Sequence, residues 1–317
     1  MHNQLDFLFH GSLYLETKEG YYIPRRFSIE QMKSLEDNIW FHDRTRCGAS
    51  VTLELLTEAQ KISFAYKFFL RTGVKSTFEI YVNGFLTHMV DDGQVSDEGV
   101  LEFSFKKGKK KIEIYLPNYS EVGIKDFFVE GEYSSVVPKK TKVLFLGDSI
   151  TQGGGSERSG LTYVNVVKRA LDYEILNQGI GGYYCDKSIL KDLIFNPNKI
   201  VVAFGTNHRR FSEEEHKVVV KEYFKALNER YENVPIMVVL PPYCGDGEAN
   251  ALKNTFKRIK QDFLCVVNVY PNIQVVNAYQ MIPHFADYFM KDFLHPNALG
   301  MTEYGNNLVE AIKKSFN

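Results

Sequence analysis

The stretch KVLFLGDSITQGGG, Lys142 to Gly155, decides how this chain is read. An apolar run of strand character ends in Gly147-Asp148-Ser149, and three glycines follow within six residues of the serine. Further short apolar runs lie downstream: YEILN (173–177), KIVVAF (199–204), PIMVVL (235–240) and IQVVN (273–277). Helical patterns separate them. SEEEHKVVVKEYFKALNERY (212–231) opens with Ser212 and Glu215 at capping-box spacing, a second runs from about 248 to 269, and a last from about 300 to 316. Strands alternating with helices predict an α/β fold with a doubly wound, five-stranded parallel sheet covered on both faces.

Upstream the period changes. From about residue 10 to 133 the runs are short and β-like: ASVTLELL (49–56), KISFAYKFFL (61–70), TFEIYVNG (77–84), GVLEFSF (99–105), KKIEIYLP (110–117) and IKDFFVEGEY (124–133). Val51, Leu53 and Leu55 fall on one face by alternation, and turn signals such as Asn83-Gly84 separate the runs. This predicts an antiparallel sandwich or jelly roll, with one helical turn at SIEQMKSLED (28–37). The polar SSVVPKKTK (134–142), with Pro138, reads as a linker. Two domains follow, a β-sandwich at 1–135 and an α/β domain at 140–317.

Bulk properties narrow the function. A net charge of -1 gives no electrostatic case for a nucleic-acid or anionic-membrane partner, and no run approaches the ~20 apolar residues of a membrane span. Cys47, Cys185, Cys244 and Cys265 are scattered without a C-x-x-C pair, so neither a zinc site nor a disulfide frame is expected. The N-terminus lacks a basic-then-apolar leader, which with reduced thiols points to a cytoplasmic protein, although a chain stripped of its leader would look the same. Oligomeric state is not legible.

Ser149 sits just past the first parallel strand, where open α/β sheets bind ligands. A phosphate cradle needs a lysine that GDSITQGGG lacks, and GIGGYY lacks the third glycine of a dinucleotide fingerprint. A plain turn or helix cap remains open, since Asp and Ser suit both. A nucleophile needs a base, an acid and donors for an oxyanion. KDFLHPNALG (291–300) supplies Asp292 and His295 three residues apart, NQGIGGYY (177–184) supplies glycine N–H groups, and FGTNHRR (204–210) supplies the Asn207 amide.

Serine, glycine, asparagine and Asp-x-x-His in that order, over residues 142–316, resemble the SGNH hydrolases, also called GDSL-type esterases and lipases. The resemblance implies a flavodoxin-like domain in which Ser149, Asp292 and His295 form a catalytic triad. Ser149 and Gly182, with Gly181 the nearest competitor, would give backbone N–H groups to the oxyanion, and Asn207 its side chain. No metal or organic cofactor is implied. Ile150 stands where the family name implies leucine, and His208 where aspartate is usual, a departure that bears on the support of Asn207. A jelly roll ahead of such a domain resembles carbohydrate esterase family two, which implies release of small O-acyl groups from an oligosaccharide or small-molecule ester. An O-acyltransferase with the same site and a non-catalytic carbohydrate-binding protein stay open. Tyr183 and Tyr184 could stack on a sugar or serve as core or rim. His208, Arg209 and Arg210 read as a solvated loop, with cleft lining as the sharper alternative. The glycines after Ser149 either open the approach for substrate or form a flexible loop over the cleft.

Overall fold

The computed structural model describes residues 4–245 and 253–316. Two antiparallel sheets form the sandwich. In one, Phe9–His10, Thr52–Thr57, Lys110–Tyr115, Thr77–Val82 and Phe85–Asp91 lie side by side in that order, and Tyr133–Ser135 also pairs with Thr52–Thr57. In the other the order is Tyr14–Lys18, Tyr21–Arg25, Ser120–Val129, Lys61–Arg71 and Glu98–Ser104. Leu53, Leu55, Ile80, Ile112 and Ile114 from the first sheet meet Ile62, Phe64, Tyr66 and Ile124 from the second in a closed apolar core. Part of the expected linker is therefore strand, because Ser134 and Ser135 pair with Leu56 and Leu55.

The α/β domain is a five-stranded parallel sheet in the spatial order Glu174–Gly179, Lys142–Gly147, Lys199–Ala203, Ile236–Leu240, Ile273–Asn277. This is the doubly wound order in which the chain reverses direction between the first and third strands, leaving a crevice at their carboxyl ends. Alternation along Lys142–Gly147 explains why its apolar run is unbroken. Leu144 and Leu146 pack with Tyr223, Phe224 and Leu227 of the helix Glu213–Arg230, while Val143 and Phe145 pack with Tyr163, Tyr304 and Leu308 on the opposite face. Each such side chain contributes roughly 1.5–3 kcal/mol on burial. Ser212 and Glu215 form the capping box that the sequence predicts. The next helix spans Lys253–Val267, so its expected start near residue 248 lies outside the described residues. The last helix is Ala298–Ser315. No described helix is long and apolar enough to cross a membrane.

One sandwich strand serves two interfaces. Leu53 and Leu55 face the apolar core, so Thr52 and Glu54 must face the other way. There the Lys168 ammonium, on the helix Tyr163–Leu171, donates to Glu54 Oε1 at 2.8 Å and Thr52 Oγ1 at 2.7 Å. Lys111 pairs with the second Glu54 oxygen at 2.9 Å. Burial acts to raise the Glu54 carboxyl, but Lys168, His10 and Lys111 outweigh it and hold it well below the usual carboxylate range. Arg158 grips Glu79 at 2.8 and 3.1 Å, and His10 Nδ1 lies 2.9 Å from Glu174 Oε2. The two domains are thus joined by buried, oriented ion pairs as well as by contact area.

Removing one partner of a buried pair leaves the other charge uncompensated, which costs about 3–5 kcal/mol. Lys168→Met should fall near the lower end, about 3 kcal/mol, because Lys111 still holds Glu54. Pairing it with Glu54→Leu should restore most of the loss. Urea unfolding checks both variants, and a Lys168→Met loss below about 1 kcal/mol would rule out this tie between the domains.

Candidate active site

Strand Lys142–Gly147 ends beneath its neighbours so tightly that a Cβ on Gly147 would sit 2.8 Å from the Ala203 carbonyl oxygen. Asp148 then caps the short helix Ser149–Gln152 by accepting from the Ile150 N–H at 3.0 Å. Burial pushes the Asp148 carboxyl up to about 6, against hydrogen bonds from backbone N–H groups that include Ile150 and Thr206. Asp148 therefore also ties the serine loop to the loop carrying Asn207. The cap and the serine are adjacent residues with separate jobs.

The Ser149 hydroxyl lies 2.8 Å from His295 Nε2, and His295 Nδ1 lies 2.6 Å from Asp292 Oδ2. The other Asp292 oxygen accepts from the Leu294 and His295 N–H groups at 3.0 and 3.1 Å. Partial burial acts to raise the Asp292 carboxyl, but the His295 and Leu294 hydrogen bonds prevail and hold it at about 2. Being ionised, Asp292 can only accept, so Nδ1 carries the proton and Nε2 is left to accept from the Ser149 hydroxyl. The turn is shaped by Phe293 in the left-handed region (φ 53) and closed by the Met290 N–H donating to the His295 carbonyl at 2.8 Å.

The glycines after Ser149 have a packing role. Gly153, at φ 110, ends the short helix. A Cβ on Gly154 would lie 3.3 Å from His295 Cδ2, and one on Gly155 would lie 2.7 Å from His295 Cβ. They let the serine loop pass directly against the imidazole, close packing in place of a flexible loop, while Gly154 and Gly155 also line the cavity beside Ser149.

In the second loop, the Gly181 N–H donates to Gln152 Oε1 at 2.7 Å. The Gly182 N–H has no such partner among the described residues, and Gly182 (φ 82) lines the same cavity as Ser149. Asn207 lines it too, with its amide donating to the Tyr183 carbonyl at 2.9 Å and one amide hydrogen to spare. Tyr183, Tyr184 and His208 do not line it. Tyr183 is 1% exposed, its ring edge-on to Phe41 and its hydroxyl donating to Asp186 at 2.9 Å. Tyr184 is half-buried against Tyr183 and Phe211. His208 is fully buried, and its Nε2 accepts from the Cys185 N–H at 3.1 Å. These loops look solvated by composition, but they fold back onto the sandwich and onto the helix Lys253–Val267.

The cavity has a volume of about 710 Å³. One wall comes from the sandwich domain: Trp40, Phe41 and Arg44 on the helix Ile39–Arg46, with Tyr119. Trp40 is 56% exposed, and its Nε1 donates to the Gly181 carbonyl at 3.3 Å. The Tyr119 hydroxyl donates to the Ser149 carbonyl at 3.2 Å. Sequence reading missed this helix. Its one available signal was the sole tryptophan of the chain four residues before an arginine, a spacing that stacks side chains on one helical face. No group of residues suited to a metal ion occurs among the described residues.

Residues 145–302 match the family described as GDSL-like lipase/acylhydrolase. No curated protein matches the chain in sequence. Solved structures of similar fold include a GDSL-like lipase described from Bacteroides ovatus, at 19% identity and TM-score 0.82, covering 98% of this chain and 95% of that one. The salicylyl-acyltransferase SsfX3 from a tetracycline biosynthetic pathway aligns at 16% identity and TM-score 0.80, covering 97% and 95%. A family two carbohydrate esterase from Clostridium thermocellum, in complex with cellohexaose, aligns at 16% identity and TM-score 0.65, covering 84% and 93%. The α/β domain of this chain belongs to the GDSL-like lipase/acylhydrolase family, the SGNH hydrolases, in the two-domain form that sets an antiparallel sandwich before it.

Proposed function

We propose that the protein is a serine esterase that releases small acyl groups, O-acetyl foremost, from oligosaccharides. The observation that carries this reading is the unbroken hydrogen-bonded chain Ser149–His295–Asp292 at the wall of a cavity. In the proposed reaction His295 Nε2 takes the hydroxyl proton as Ser149 Oγ attacks the ester carbonyl carbon. The tetrahedral oxyanion accepts hydrogen bonds from the Ser149 and Gly182 N–H groups and the Asn207 amide. Collapse expels the alcohol, which leaves with the proton carried by His295. Water, deprotonated by the same imidazole, then releases the acid and restores the serine. The exposed Trp40 indole beside Gly182 offers a sugar ring an apolar face, and it replaces the tyrosines in that role. The likeness to a family two carbohydrate esterase supports the sugar reading.

A second reading is favoured by the walls around the serine. Trp40, Phe41, Met290 and Leu294 line the cavity, an apolar setting in which an acyl-enzyme could await an alcohol in place of water. The likeness to an acyltransferase points the same way. Supplying acceptor sugars during acetate-release assays, and measuring transfer product against free acetate, separates the two.

Asn207 depends on His208 in this scheme. Its amide holds the Tyr183 carbonyl while His208 holds the Cys185 N–H, so both fix the loop 182–186. His208, where the family usually has aspartate, acts here as a positioning residue.

Ser149→Ala should lower 4-nitrophenyl acetate hydrolysis at least about 10³-fold with the fold intact, and near-normal turnover would end the esterase reading. Asn207→Ala should lower kcat by ~10²–10³ with little change in KM, because an oxyanion donor acts mainly in the transition state. Burial and the neighbouring His216 hold His208 down at about 3, from an ordinary 6.5. The unfolded chain binds this proton below 6.5 and the folded chain does not until about 3, so stability is complete above that window and falls as pH drops through it. Asp148, raised to about 6, acts the opposite way between 3.8 and 6, so the readout is a difference between proteins. Wild type should lose urea stability more steeply than His208→Asn from pH 6.5 down to about 4, whereas parallel curves would contradict a neutral, buried His208.

A further inference from the structure

The guanidinium of Arg44 is the unusual charge of this molecule. The residue is 4% exposed and stacks on the Trp40 ring, with its central carbon 3.7 Å from the ring centroid. The side chain makes no hydrogen bond or ion pair with any described residue, and its Nε is buried without a partner. Other arginines of this half of the molecule have partners. Arg26 donates to backbone carbonyls, Arg25 and Arg46 share Glu121, and Arg158 grips Glu79. A charge taken from water without a partner is costly, and cation–π stacking on one face leaves the in-plane N–H groups unanswered.

The cavity that Arg44 lines is the Ser149 cavity. A Cβ built on Gly181 would lie 3.3 Å from Arg44 Nε, so the guanidinium sits against the loop that presents the Gly182 N–H. Arg209 and Arg210 line the same space. The acid among the lining residues is Asp292, whose oxygens are committed to His295 and Leu294. Among the described lining residues, therefore, no carboxylate is left to answer Arg44.

We propose that Arg44 binds a carboxylate of the substrate, so that the favoured esters carry a negative charge close to the bond that is cleaved. The inference rests on the esterase reading and narrows its substrate class. A planar guanidinium pairs with a carboxylate through two parallel hydrogen bonds, which fixes orientation as well as position. That carboxylate can belong to the acyl group, as in a half-ester of a dicarboxylic acid, or to the alcohol, as in an acetylated uronic acid.

Matched substrate pairs test this with the full chain. 4-Nitrophenyl acetate is compared with the 4-nitrophenyl monoester of succinate, and acetylated methyl glucoside with acetylated methyl glucuronoside. The charged member of one pair should have kcat/KM on the order of ten-fold higher, and which pair responds tells on which side the charge lies. Arg44→Gln should collapse that ratio toward one, and Arg44→Lys, a point charge without the fork, should keep part of it. Glucuronate or succinate should inhibit wild-type hydrolysis of 4-nitrophenyl acetate on the order of ten-fold more strongly than glucose, a measurement that needs no variant to fold. Equal or lower kcat/KM for both charged esters, with no excess inhibition, overturns the inference and leaves the esterase reading standing. A charge preference that survives in folded Arg44→Gln overturns the role of Arg44. A wild type inert toward every ester removes the esterase reading, and the inference with it.

Discussion

The buried guanidinium of Arg26 joins the two domains where the cleft is built. It donates to the Cys47 and Arg44 carbonyls at 2.6 and 2.8 Å, at the end of the helix Ile39–Arg46. It also donates to the Asn177 carbonyl and, at 3.3 Å, to that of Gly179, at the end of a parallel strand. A helix end carries unsatisfied carbonyls and the negative end of its dipole, so a cation there meets acceptors that need a donor. Burial lowers Arg26 to about 10, which still leaves it charged at neutral pH. Through this one side chain the wall bearing Trp40 and Arg44 is set against the loop bearing Gly182. A neutral residue of similar bulk would strand several buried carbonyls at once, each a loss of about 1–3 kcal/mol.

The parallel sheet was legible in sequence because a strand buried on both faces must be apolar throughout, and each run such as KIVVAF stands out against its helical neighbours. The loops carrying Ser149, Gly182, Asn207 and Asp292–His295 were legible for a related reason. They follow those strands at one edge of one sheet, and residue types such as serine, asparagine and histidine can be read there without knowing their contacts. The helix Ile39–Arg46 was not legible. NIWFHDRTR has no apolar period, because the helix spends its faces on a cleft and on polar ties. Its partners Gly181 and Gln152 are also more than a hundred residues away in sequence. Strand Tyr21–Arg25 was hidden by Pro24, which pattern reading takes as a strand breaker. Tyr183 and His208 were undecided or misread for the opposite reason. Composition left Tyr183 open between a sugar platform and a core or rim place and read His208 as part of a solvated loop, and only the tertiary fold shows that Tyr183 is packed on Phe41 and His208 on Phe263.

The run of glycines in GDSITQGGG illustrates how one signature admits several physical causes. Glycine-rich loops after a strand are often taken as approach space for a ligand, since a missing Cβ lets backbone come near. Here what comes near is the imidazole of His295 and the backbone of Pro296. Sequence separation hid this, because the packing partner lies about 140 residues downstream of the glycines.

In the proposed reaction, chemistry and selection are drawn from different domains of this chain. The α/β domain holds Ser149, His295 and Asp292 in one hydrogen-bonded line, while the sandwich domain presents Trp40, Phe41, Arg44 and Tyr119 to the same cavity. That division requires the two bodies to keep a fixed relation, since a shift of about 1 Å in a reacting geometry can cost 10²-fold in rate. Apolar contact alone is non-directional and tolerates sliding. Buried pairs such as Lys168–Glu54 and Arg158–Glu79 do not, because a displaced partner leaves a charge without its counterpart. The polar seam between the domains is therefore suited to hold the helix Ile39–Arg46 in a fixed relation to the Ser149–His295–Asp292 line.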